Sequence, residues 1–132
     1  MSFPKRKSPT GLTGGKKRKK PRLWTLKQAD DKFSLFIRKR DKVCKRCGRA
    51  NYLTCSHFWV RQHKGTRYDP ENCDAVCWQP CHKYYWEKEK QGEYKDFKMK
   101  QLGKRRYNLL EKRARRIYPQ DRAIMDCMEL LS

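Results

Sequence analysis

The chain is short of acid, short of apolar residues and without any long hydrophobic run. Only 14 of its 132 residues are Asp or Glu against 35 Lys and Arg, a formal net charge of +21. An excess of that size is larger than solubility requires and favours a polyanionic partner, nucleic acid above all. Hydrophobic residues make up 36% and charged residues 37% of the chain. One compact domain of this length therefore has a modest core and calls for a staple such as a metal or disulfides. No apolar run approaches the roughly 20 residues of a transmembrane helix, and the amino terminus lacks the apolar core of a signal peptide. The expectation is a cytoplasmic protein with no membrane partner. No internal repeat and no heptad seam is present.

Cysteine is not scarce. There are seven, an odd number, with no secretion signal. In a reducing compartment paired cysteines bind metal more often than they form disulfides.

Residues 1–22 hold nine basic residues and no acidic one, interspersed with Pro4, Pro9, Pro21, Gly11, Gly14 and Gly15. This composition reads as a disordered basic arm, suited to nonspecific phosphate contact or to nuclear import. Residues 23–132 form the domain. Within it, 23–43 hold an amino-terminal helix, 44–92 a stapled core and 93–132 a helical extension. "TLKQ" is a capping box with Thr25 as N-cap and Gln28 three residues on. Ala29, Phe33, Phe36 and Ile37 share one face of the helix that follows, which runs to about Arg40. Residues 52–58 read as a strand with Leu53, Cys55 and His57 on one face, and 72–77 as its antiparallel partner. Pro80 suits the first turn of a helix expected to run to Gln91 and stop at Gly92. Beyond it, Tyr94, Phe97, Leu102, Tyr107, Leu109, Leu110, Ala114 and Ile117 recur at helical spacing, with breaks at Gly103 and Pro119. The fold class is small α+β, in the order helix, strand, loop, strand, helices.

Cys44 and Cys47 make one pair and Cys77 and Cys81 a second, with 29 residues between them. Two such knuckles closing on one ion are the usual tetrahedral zinc solution. Cys73, four residues before Cys77, offers a rival second pair with it. Cys55 and Cys127 read as buried small hydrophobes. A structural zinc has no need of His57, Asn72 or His82. These three fall on the first strand, at the start of the second, and at a helix amino end beside a zinc cysteine. Phosphodiester hydrolysis needs a base for water, a metal for the developing charge and a group that fixes the base, and these residue types can fill those roles. Arg61, Lys64 and Arg67 flank His57 on the loop, placed to line an approach for DNA or to stand as a solvated loop.

The arrangement of His57, Asn72 and His82 inside the two cysteine pairs resembles the HNH (ββα-metal, or His-Me finger) endonucleases. More narrowly, "FIRKRD…CKRCG…CSHFWVR…TRYDPENCDAVC…CH" is similar to the NinG-type recombination nucleases of phages and prophages. The resemblance covers about residues 24–116. It implies a zinc-stapled ββα-metal core and an endonuclease acting on DNA, branched recombination intermediates included. It implies that His57 is the general base, that Asn72 holds its imidazole, and that His82 binds a divalent catalytic ion such as Mg2+ or Mn2+. Products would carry a 5′-phosphate and a 3′-hydroxyl. Ser56 stands where many members have an acidic metal ligand, so His57 itself, Asp69 or His63 are candidates for the missing contact. A phage-encoded protein would work in the bacterial host cytoplasm, and a homodimer would suit symmetric cutting of a junction. Two rivals stand beside this reading: a non-catalytic zinc module that binds nucleic acid, and an HNH nickase of phage DNA packaging.

Overall fold

Among the described residues, each element meets a two-stranded hairpin or the helices packed on it. The computed structural model describes residues 22–86 and 91–132. The expected basic arm lies outside them, apart from Arg22.

Helix α1 spans Leu26–Asp41. Thr25 caps it as the sequence requires: its hydroxyl accepts the Gln28 N–H at 3.1 Å, and Gln28 Oε1 accepts the Thr25 N–H at 2.9 Å. Ala29, Phe33 and Ile37 are buried, one residue per turn along the inner face, with Phe36 packed at its edge. Strand β1 (Leu53–His57) pairs antiparallel with β2 (Cys73–Cys77) in the register Leu53↔Cys77, Cys55↔Ala75, His57↔Cys73. The period of two along each strand sends alternate residues to opposite faces. Two cores result. On one face Cys73, Ala75 and Tyr68 pack with α1 and with Ala123, Ile124 and Cys127 of α3 (Gln120–Leu131). On the other, Val76 packs with Cys44, Cys81, Trp86 and Tyr94, joined by Cys77 from the end of β2.

The segment after β2 departs from expectation. Trp78–Tyr85 forms a wide π-helical turn in which Gln79 is extended, so the helical backbone begins at Pro80 as anticipated but ends at Tyr85, with Trp86 as its C-cap. The Trp86 N–H reaches back five residues to the Cys81 carbonyl at 2.8 Å. That wider step lets Cys81 face the other cysteines while Trp86 stacks, buried, on Tyr94 with ring centroids 4.1 Å apart. Gly92 is not a stop. It is the second residue of α2 (Gln91–Arg115), which breaks instead at Gly103, where φ is 81°. Pro119 separates α2 from α3 as its spacing implies. Leu109 and Ile117, expected on the apolar face, are 40% and 100% exposed.

Helix α2 is clamped to the hairpin by a buried ion pair. Lys98 and Asp74 are both fully buried, with Nζ 2.7 Å from the carboxylate. Asp74 also accepts from Tyr94 Oη at 3.0 Å and Gln101 Nε2 at 2.9 Å, and Lys98 also donates to the Glu71 carbonyl and Gln101 Oε1. With each charge surrounded by partners, the pair specifies where α2 sits on β2, and removing one member strands the other.

Candidate metal centre and paired imidazoles

Cys44, Cys47, Cys77 and Cys81 converge. Their four sulfurs all lie within 4.8 Å of one another. Cys47 Sγ and Cys77 Sγ are 3.8 Å apart, close to the edge of about 3.8 Å that four zinc–sulfur bonds of about 2.3 Å give a tetrahedron. Gly48 turns the first knuckle with φ at 85°, where a side chain is strained. The N–H groups of Arg46 and Cys47 both point at Cys44 Sγ at 3.4 Å, and Arg46 Nη1 points at Cys81 Sγ at 3.6 Å. Donors aimed at sulfur stabilise thiolates. This cluster could hold a metal ion and is compatible with structural zinc. Cys73 is not among its members: it sits at the opposite end of β2 from Cys77 and is buried in the core with α1 and α3, so the rival pairing does not form. Cys127 is a buried hydrophobe, whereas Cys55 is only half-buried.

His57 and His82 line one cavity of about 500 Å³, together with Asp30, Asp31 and Ser34 of α1, Thr54, Arg61 and Trp78. Each ring is held by an acceptor that fixes its tautomer. His57 Nε2 is 2.9 Å from the Arg67 carbonyl, which can only accept, so a neutral ring carries its proton there and its lone pair on Nδ1. Burial lowers the His57 pKa to about 4, so the ring is neutral at pH 7. Thr54 Oγ1 gives its hydrogen to the Val76 carbonyl at 2.8 Å and lies 2.7 Å from His82 Nδ1. With its only proton committed, Oγ1 accepts from Nδ1–H, which puts the lone pair of a neutral His82 on Nε2. The role of Thr54 has no signature in the sequence beyond its place on the β1 face opposite His57.

Asn72 acts on the loop rather than on the imidazole. It is fully buried; its Oδ1 accepts the Trp59 N–H at 2.8 Å, and its Nδ2 donates to the carbonyls of Trp59 and Thr66, each at 3.0 Å. Its backbone carbonyl accepts the Phe58 N–H at 2.8 Å. Both ends of the loop that returns the Arg67 carbonyl to His57 are thereby tied to one side chain.

Arg67 is corrected from a DNA-facing cation to a buried strut. Only 9% exposed, it grips Asp30 of α1 through Nε at 3.0 Å and Nη2 at 2.7 Å, and donates through Nη1 to the Arg61 carbonyl at 3.1 Å. Tyr68 Oη adds a third bond to Asp30 at 2.7 Å. Burial raises the Asp30 pKa, but these donors and the Arg67 charge outweigh it and hold the carboxyl below its ordinary value. Arg61 stays on the surface 3.5 Å from Asp30, and Lys64 is half-exposed on the same loop. Asp69 and His63 are not beside His57. Asp69 pairs with Arg113 at 2.7 Å, and His63 Nδ1 meets the Ala114 carbonyl at 3.2 Å on the wall of a second cavity. Those contacts carry the loop against the end of α2, where Gly65 passes so close that a Cβ would lie 2.2 Å from the Arg113 carbonyl oxygen.

No family model matches the chain, and neither a curated protein nor a solved structure matches it at a significant level. Among the described residues, no helix is long and apolar enough to cross a membrane.

Proposed function

We propose that this chain is a metal-dependent DNA endonuclease of the HNH class, built on a zinc-stapled ββα-metal core. The reading rests chiefly on one observation: two imidazoles with fixed and complementary tautomers line the same cavity beside a four-cysteine cluster.

In this reading His57 Nδ1 takes a proton from the attacking water. The Arg67 carbonyl holds the ring by its Nε2–H and stabilises the imidazolium that forms, while Asn72 keeps the loop bearing that carbonyl in place. The attack breaks the bond between phosphorus and the leaving 3′-oxygen, giving the 5′-phosphate and 3′-hydroxyl products. His82, with Thr54 orienting it, would hold the divalent ion; Asp30 and Asp31 are the carboxylates on the same wall, Asp30 already bonded to Arg67. Such an ion supplies charge neutralisation at the phosphorane and the leaving oxygen. Arg61 and Lys64 would meet the backbone of DNA in this reading, which the chain's net charge of +21 supports.

A branched recombination intermediate is the substrate proposed, in the host cytoplasm of a phage or prophage, with a dimer placing two centres on one junction. A non-catalytic zinc module would share the charge and the four cysteines but would have no use for two tautomer-fixed imidazoles in one cavity. The test is to incubate the purified protein with linear, nicked and four-way DNA, with and without Mg2+ or Mn2+. Metal-dependent cleavage, strongest on the four-way substrate, supports the full reading. Binding without cleavage in every ion supports the zinc module instead.

A further inference from the structure

A second set of metal-ligating side chains lies beside the cavity, apart from the four-cysteine cluster. Cys55 faces Ala75 and His57 faces Cys73 in the hairpin register, so Cys55, His57 and Cys73 leave the sheet on one face as diagonal and direct neighbours. One ligand atom from each lies within 4.8 Å of the other two. Cys73 is fully buried, while Cys55 and His57 are half-buried and line the cavity wall.

We infer that Cys55, His57 and Cys73 form a second site for a thiophilic divalent ion, zinc or its close analogues, with its fourth position open to the cavity. The donor set carries the choice of metal. Two sulfurs and an imidazole are ligands that zinc and cadmium prefer and that magnesium does not take. Charge points the same way. Two thiolates cancel a divalent cation, so the complex is neutral where Cys73 is sealed from water, whereas a lone thiolate there would be costly. The His57 ring is already braced as metal-bound imidazoles are, with its far N–H on a backbone carbonyl. Bonds of about 2.0–2.3 Å call for ligand atoms about 3.5–3.8 Å apart, so the side chains close in by no more than about 1.3 Å. Three protein ligands with an open fourth position describe an exchangeable site rather than a closed structural one. On the nuclease reading, which this consequence alone rests on, the ion takes the His57 lone pair and shuts off the base. Zinc beyond the first equivalent is then an inhibitor.

The experiment is to titrate Co2+ into full-length protein carrying one equivalent of zinc under reductant. The wild type is expected to take up one further equivalent, with the thiolate-to-cobalt charge-transfer band and the visible bands of a four-coordinate ion. Cys55→Ala and His57→Gln should each lose that equivalent and its bands while keeping the first zinc. Two variants are used so that the failure of either to fold leaves the other to decide. Absence of a second equivalent in the wild type overturns the site, as does uptake that survives in both variants, or a Cys55–Cys73 disulfide found in its place. Cleavage is read separately, with zinc beyond the first equivalent expected to slow the wild type at least tenfold. Protein that takes the second equivalent but cuts no DNA overturns the nuclease reading and leaves the site standing. Protein that cuts DNA without taking it does the reverse.

Discussion

Replacing Asn72 by Ala is expected to destabilise the fold by about 3–5 kcal/mol. The side chain is fully buried and makes three hydrogen bonds of 2.8 to 3.0 Å, all to loop backbone. Truncation leaves the Trp59 N–H and two carbonyls without their partner. A buried group left in that state costs about 1–3 kcal/mol. Three such groups sum to about 3–9 kcal/mol, and water reaching Trp59 from the half-exposed side keeps the loss in the lower part of that span. That is a large fraction of the roughly 5–15 kcal/mol of a small domain, so the variant folds only marginally at 25 °C. Asn72→Asp should do no better: one oxygen still accepts the Trp59 N–H, but the other faces two carbonyls with no hydrogen to offer. Urea unfolding at pH 7 with zinc held at one equivalent measures both. A loss below 1 kcal/mol in Asn72→Ala, with an unchanged denaturant slope, would refute the claim that this side chain pins the loop.

Three further outcomes follow from the same contacts. Lys98→Met should cost about 3–5 kcal/mol in the same assay, because it strands the buried Asp74 carboxylate, and Lys98→Met combined with Asp74→Leu should recover much of the loss. The His57 ring, followed by NMR, should titrate near pH 4 rather than near its ordinary 6.5. Because its folded value is depressed, its stabilising contribution is full above pH 6.5 and is lost as pH falls towards 4, on the order of 3 kcal/mol in all. Thr54→Val keeps the volume but removes the hydroxyl that orients His82, so DNA cleavage should fall about 10–100-fold with zinc content unchanged.

What the sequence made legible was local. The capping box, the period-two faces of the hairpin and the two cysteine knuckles depend on residues a few positions apart, and each stands where the spacing put it. What it hid was set by long-range partners. Arg67 reads as an exposed loop cation until Asp30, 37 residues earlier, arrives to pair with it. Asp69 and His63 read as neighbours of His57, but the end of α2 claims both. The π-helical turn after β2 answers a packing demand, burial of Cys81 and Trp86 on the same side, that no local propensity encodes. Cys55, read as a small hydrophobe, stands beside His57 and Cys73 only because the hairpin register is what it is.

The central claim is that His57 performs chemistry while the cysteine cluster only holds the fold. Single-turnover cleavage by wild type, His57→Ala and His82→Ala, with zinc content and DNA affinity measured on each, tests it most directly. The account predicts that His57→Ala loses about 10²–10⁴-fold in rate with zinc and DNA binding intact, and that His82→Ala also weakens binding of the divalent ion. Full cleavage by His57→Ala would contradict it and leave a zinc-stapled nucleic-acid-binding module as the better description.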